Sequence, residues 1–173
     1  MEFIAALSLS GSAEILTELL KEQPHLVDKV YDIALGFTCD VDSDAIMNDV
    51  YYSLNALDVD DLYSRSGKTR YGCTEPSEEA WEMFEEALQP YINEMTKNQK
   101  RGLASAAKIF CIGIIKGLVK YENDSSSEFK DWATDAPFEY VDRVVDEFKK
   151  GTTNEADKDE VASISEALRY GDY

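Results

Sequence analysis

Histidine is almost missing from this chain: His25 is the single imidazole in 173 residues. Imidazole is the commonest general base and metal ligand, so its scarcity argues against triad-type hydrolysis and against histidine-rich metal sites. Cysteine is equally thin. Cys39, Cys73 and Cys111 are odd in number and far apart, which suits neither a disulfide framework nor a Cys/His zinc site and fits a reducing compartment. No cysteine stands in a nucleophile motif.

Positive charge is the next shortage. Lys and Arg total 17 against 35 Asp and Glu, for a net charge of −18. A potential of that sign repels phosphate, so direct binding to nucleic acid or to an anionic membrane is not expected. Long apolar runs are lacking as well: Leu103 to Val119, the most apolar region, is interrupted by Ser105, Lys108 and Lys116. The first nine residues carry Glu2 where a signal peptide needs positive charge. These features lead us to expect a soluble cytoplasmic protein without a membrane span.

Sustained period-two alternation is absent too, and apolar residues recur instead at helical spacing. Ile15, Leu16, Leu19 and Leu20 form one stripe after Gly11-Ser12. Pro24 suits the first turn of a next helix carrying Leu26, Val27, Val30 and Ala34 and stopping at Gly36. A third helix is predicted over Ser43 to Leu57, with Ile46, Val50, Leu54 and Leu57 aligned, and Asp58 to Tyr63 either extends it or turns separately. Thr74-Glu75-Pro76-Ser77 opens another, bearing Trp81, Phe84, Leu88, Tyr91 and Met95, with a kink or break expected near Leu88 because of Pro90. Asn98 to Tyr121 is apolar nearly all round, as befits a central helix. After the polar Asn123 to Ser127, Asp135 and Pro137 begin a helix with Val141, Val144, Val145 and Phe148, and a last one spans about Ala156 to Tyr170 with Val161, Ile164 and Leu168 inward.

The predicted class is therefore all-α, with about seven helices. It forms either an irregular multi-helix bundle or stacked antiparallel helix pairs, a HEAT-like short α-solenoid. One domain over residues 1–173 is expected, with a basic loop at about 63–73 and an acidic C-terminal tail free to move after residue 169.

Against the acidic background one segment stands out, Tyr63-Ser-Arg-Ser-Gly-Lys-Thr-Arg-Tyr-Gly72. Val30 to Ser64 holds eight Asp and Tyr71 to Thr96 seven Glu, neither with any Lys or Arg. Arg65, Lys68 and Arg70, with the aromatics Tyr63 and Tyr71, thus form the candidate loop for binding an anion or an acidic partner, the arginines offering paired donors. The competing expectation is that these cations fold back onto Asp58, Asp60, Asp61 or the Glu78 to Glu86 cluster. Ser66-Gly67-Lys68-Thr69 contains the end of a phosphate-binding loop. That motif needs glycine where Leu62 stands and a strand before it, so nucleotide hydrolysis is not expected.

Other patterns resolve toward structure. Asp40, Asp42 and Asp44 alternate as at the start of a calcium loop, but Ala45 and Tyr51 stand where glycine and glutamate belong, and an N-cap role is simpler. Glu78, Glu82 and Glu86 share a helix face without the second Glu-x-x-His that a di-metal bundle uses, since Glu22 to His25 is the one such pair. They read as a solvated face. Gly113 and Gly117 have small-xxx-small spacing, which signals close helix packing in the core or a self-association face.

No catalytic residue, metal ligand or cofactor is assigned from the sequence. The leading expectation is a non-enzymatic adaptor or regulatory protein that binds another protein, with homo-oligomerisation open to it. Two alternatives stand beside it: a binder of a small anionic ligand through Arg65, Lys68 and Arg70, and an acidic mimic of nucleic acid that occupies a basic protein.

Overall fold

The computed structural model of the protein describes residues 9–27, 29–30, 42–69 and 72–171. The chain divides into two compact units, Met1–Asp40 and Val41–Tyr173. In the first, α1 (Leu9–Glu22) is followed by a 3₁₀ turn at Pro24–Leu26. The helix starts before the Gly11-Ser12 boundary read from the sequence. Its Ile15, Leu16 and Leu19 are exposed among the described residues. The predicted continuation through Ala34 and Gly36 lies outside the described residues.

The second unit contains α2 (Ser43–Asn55), α3 (Val59–Arg65), a hairpin of β1 (Gly67–Thr69) and β2 (Gly72–Thr74), α4 (Pro76–Lys100), α5 (Ala104–Asp124), a 3₁₀ turn at Glu128–Trp132, α6 (Ala136–Gly151) and α7 (Glu155–Tyr170). Asp42, Asp58 and Asn154 cap α2, α3 and α7, each accepting a backbone N–H through its side chain. Asp58 thus begins a separate short helix and does not prolong α2. Pro76 opens α4 at a position where the missing donor costs nothing.

Pro90 does not break α4, which runs unbroken for 25 residues. The ring lies on the exposed side with Glu86 and Gln89, so the Glu86 carbonyl that loses its partner faces water. The helix ends instead at Gly102, whose φ of 75° belongs to the left-handed region. There Gly102 N–H donates to Gln99 O and Leu103 N–H to Asn98 O, at 2.9 Å each. This paired arrangement satisfies two orphan carbonyls and reverses the chain into α5. The single helix expected from Asn98 is thereby divided.

α5 is the central helix, as its all-round apolarity predicts. It packs on α2, α4, α6 and α7, burying among others Ala107, Cys111, Ile114, Ile115, Leu118 and Tyr121. Each fully buried aliphatic side chain contributes about 1.5–3 kcal/mol of transfer free energy. Gly113 and Gly117 face Ile46 and Val50 of α2, so the small-residue spacing serves internal packing.

Side-chain pairs fix the directions. Glu85 meets Tyr140 and Gln99 meets Phe148 and Thr152, so α4 and α6 run parallel. Asp44 reaches Lys116 and Asn55 reaches Ser125, while Lys108 reaches Asp157 and Glu160. Hence α2 runs parallel to α5, and so does α7, whose Leu168 lines the same groove as Val119 and Asn123 further along α5. Parallel alternate helices are common to a bundle and to stacked antiparallel pairs, and α5 packed on four neighbours gives the second unit the character of a helical bundle. Among the described residues no helix is long and apolar enough to cross a membrane.

Candidate functional site

The basic segment is partly helix and partly hairpin. Tyr63 and Arg65 belong to α3, and Gly67 begins β1 with φ of 106°. Lys68 pairs across the hairpin with Cys73; its side chain, Arg70 and Tyr71 lie outside the described atoms. Three-residue strands are too short to display alternation in sequence, which is why a plain loop was expected here. The strand that a phosphate-binding loop requires before Gly67 is replaced by a helix.

Arg65 is held within the fold. Its Nε lies 2.9 Å from Glu79 Oε1, and its terminal nitrogens donate to both Glu86 oxygens at 2.9–3.0 Å. Glu79 is buried. The hydrogen bond from Arg65 holds the Glu86 carboxyl below the usual carboxylate range, and Glu86 in turn raises the arginine. The expectation that a cation of this segment folds back onto the Glu78 to Glu86 cluster is met at Arg65. Tyr63 is exposed and meets Trp132 edge-on at 5.5 Å.

The other acidic patterns stay structural. The Asp42 carboxylate accepts from Asp44 N–H at 3.0 Å, and Asp44 binds Lys116; Asp40 lies outside the described residues. Glu78 and Glu82 are exposed on α4. Among the described residues no three His, Cys, Asp or Glu side chains converge on one point. His25 is exposed in its 3₁₀ turn. Cys111 is free and buried, and burial pushes its thiol up, away from the reactive thiolate.

Two grooves mark the surface of the second unit. One, of about 600 Å³, lies between α4 and α6, where polar groups such as Gln89, Asn93, Thr96 and Arg143 stand beside the apolar Ile92 and Val144. The second, of about 610 Å³, is a trough whose floor is α5 and whose walls are α2 and α7. Met47, Ile112, Val119, Ile164 and Leu168 supply its apolar lining. α2 and α7 pack on α5 without packing extensively on each other.

Sequence reasoning missed this trough. Ile164 and Leu168 were expected inward, yet they are half-buried on its wall. One signal was available: Lys108, Ile112, Lys116 and Lys120 recur every fourth residue, placing every lysine of α5 on one stripe. Each lysine is tied down by carboxylate. Lys108 donates to Asp157 and Glu160 at 2.8 Å each, Lys116 to Asp44 at 2.8 Å, and Lys120 to Asp124 at 2.7 Å while lying over the Tyr51 ring.

No protein-family model matches the chain, and no curated protein or solved structure matches it either.

Proposed function

We propose that this chain is a non-enzymatic binding module for another protein, an adaptor or regulatory subunit working in the cytoplasm. The observation that carries the reading is the trough over α5. A bundle groove lined by half-buried Met47, Ile112, Ile164 and Leu168 leaves apolar surface that a protein partner would remove from water. A buried free thiol at Cys111 suits a reducing compartment.

The alternative of a small anionic ligand draws on Lys68 and Arg70, since Arg65 already spends its guanidinium on Glu79 and Glu86. Mimicry of nucleic acid draws on the spaced carboxylates of residues 32–61 and 75–94, among which Asp49, Asp58, Asp60, Asp61, Glu78 and Glu82 are exposed.

The test is affinity capture from native extract with three baits: wild type, Arg65→Ala/Lys68→Ala/Arg70→Ala, and Met47→Gln/Ile164→Gln. The module reading expects a specific partner that the trough variant loses and the basic-segment variant keeps. Loss in the basic-segment variant alone would move recognition to the hairpin. A partner released only by high salt and indifferent to the trough would favour mimicry. No partner, together with stabilisation by phosphates or carboxylic acids in a thermal-shift screen, would replace the module by a ligand binder.

A further inference from the structure

We propose that the trough over α5 receives an amphipathic helix of the partner, with an apolar stripe flanked on both shoulders by Lys and Arg; this rests on the reading of the chain as a protein-binding module. The floor decides the shape of the occupant. From Ile112 to Asp124 the lining of α5 spans about 18 Å, the length of some three helical turns. Apolar side chains at i, i+3 or i+4, and i+7 would descend between Met47 on one wall and Ile164 and Leu168 on the other.

The charges decide its sign. Lys116 and Lys120 keep only 31% and 33% of their side-chain surface exposed, whereas their partners Asp44 and Asp124 keep 61% and 55%. The lysine stems are thus laid into the groove as apolar cover, and the carboxylates stand at the rim. Lys116 takes Oδ1 of Asp44, Lys120 takes Oδ2 of Asp124 and Lys108 takes Oε2 of Glu160. One oxygen of each acid is left for an incoming cation. The lining itself is balanced, Asp44 and Asp124 against Lys116 and Lys120, and the acid excess lies one turn beyond its end, where Asp157 and Glu160 share Lys108. An acidic helix would meet like charge at that rim and a net −18 on approach. A second copy of the chain or an anionic bilayer would be repelled for the same reason.

The probe is a labelled Leu/Lys peptide of about 14 residues, with leucines at helical spacing. Its Leu/Glu counterpart and a Leu/Lys peptide of identical composition in scrambled order are the controls. Fluorescence anisotropy on the full chain at about 0.15 M salt reads affinity while screening diffuse attraction. The helical Leu/Lys peptide is expected to bind most tightly. Met47→Gln/Ile164→Gln, shown folded by circular dichroism, is expected to weaken it about tenfold or more. A second variant, Asp44→Asn/Asp124→Asn, removes rim charge without touching the apolar floor and is also expected to weaken it. Equal binding of the scrambled peptide, unchanged affinity in both variants, or preference for Leu/Glu would each overturn the inference. If no peptide binds while affinity capture still returns a partner, this inference fails and the module reading stands with its interface elsewhere.

Discussion

Gly117 and Val50 approach so closely that a β-carbon on the glycine would sit 2.6 Å from Val50 Cβ and 2.9 Å from the Met47 carbonyl oxygen. The wall and floor of the trough are therefore locked to each other where Met47 leaves α2. A backbone oxygen and a β-branched side chain cannot step aside the way the end of a flexible chain can.

Gly117→Ala is expected to destabilise the fold even though alanine is the better helix former. Overpacking costs about 1–3 kcal/mol and the propensity gain returns only about 1 kcal/mol. Thermal unfolding would show a fall of about 2–4 °C per net kcal/mol for a chain of this size. Adding Val50→Gly removes both the Cβ and the Cγ1 that the new methyl would meet. The double variant should lose less than the sum of its parts, and additivity would refute the steric account.

Gly102→Ala probes the reversal between α4 and α5. A Cβ at Gly102 meets no atom within 4 Å, so space is not at issue. The cost is the left-handed backbone, about 1–2 kcal/mol for a residue bearing a β-carbon. Gly102→Asn, which tolerates that region better, should cost less. Equal losses in chemical denaturation would place the effect somewhere other than backbone conformation.

Arg65→Ala tests whether the arginine is structural. It removes the partner of buried Glu79 and the donors to Glu86, and a loss of about 1–2 kcal/mol is expected, less than for a fully buried pair because Arg65 is exposed to screening. The pH dependence follows from Glu86, whose folded pKa is lowered. Its stabilising contribution is present above the ordinary carboxylate pKa of 4.5 and disappears as pH falls through the lowered folded value. Melting curves from neutral pH into the acid range should show wild type and variant converging below that point. A constant gap would deny the ion pair its role.

The elements were more legible in the sequence than their assembly. Asp42, Pro76 and Asp135–Pro137 announce helix starts through local chemistry, and that chemistry acts within a turn of the residue that carries it. Ile46, Val50 and Leu54 fall on the buried stripe of α2 as their spacing requires. The hairpin at Gly67–Thr74 escaped because three residues per strand leave no period to detect. Pro90 suggested a break because sequence does not tell which face of α4 meets water. Arg65 could be foreseen to turn inward onto α4, although Glu79 and Glu86 could not be singled out from five neighbouring acids. The trough was hidden for a deeper reason: Met47, Ile112, Ile164 and Leu168 sit on three helices, each with spacing compatible with a core position. Only the way α2 and α7 straddle α5 leaves them half-exposed.

Lys108→Met isolates the tie between α5 and α7. Methionine keeps the apolar stem and removes the ammonium that Asp157 and Glu160 share. Those hydrogen bonds raise the lysine pKa, so at neutral pH the tie is fully formed and would weaken only as pH climbs through that raised value. Hydrogen exchange should quicken across Glu155–Tyr170 and remain unchanged in α4. Uniform acceleration over the whole second unit would show that α7 does not open on its own.

The central claim, that the trough is the recognition surface, is met most directly by methyl NMR on methionine-labelled protein titrated with the helical Leu/Lys peptide. Met47 lines the trough, whereas Met83 and Met95 are buried in the core. The account predicts that the Met47 methyl shifts and saturates with peptide while Met83 and Met95 hold their positions. An unmoved Met47 under saturating peptide, with binding seen by anisotropy, would place the peptide on another face and contradict the account.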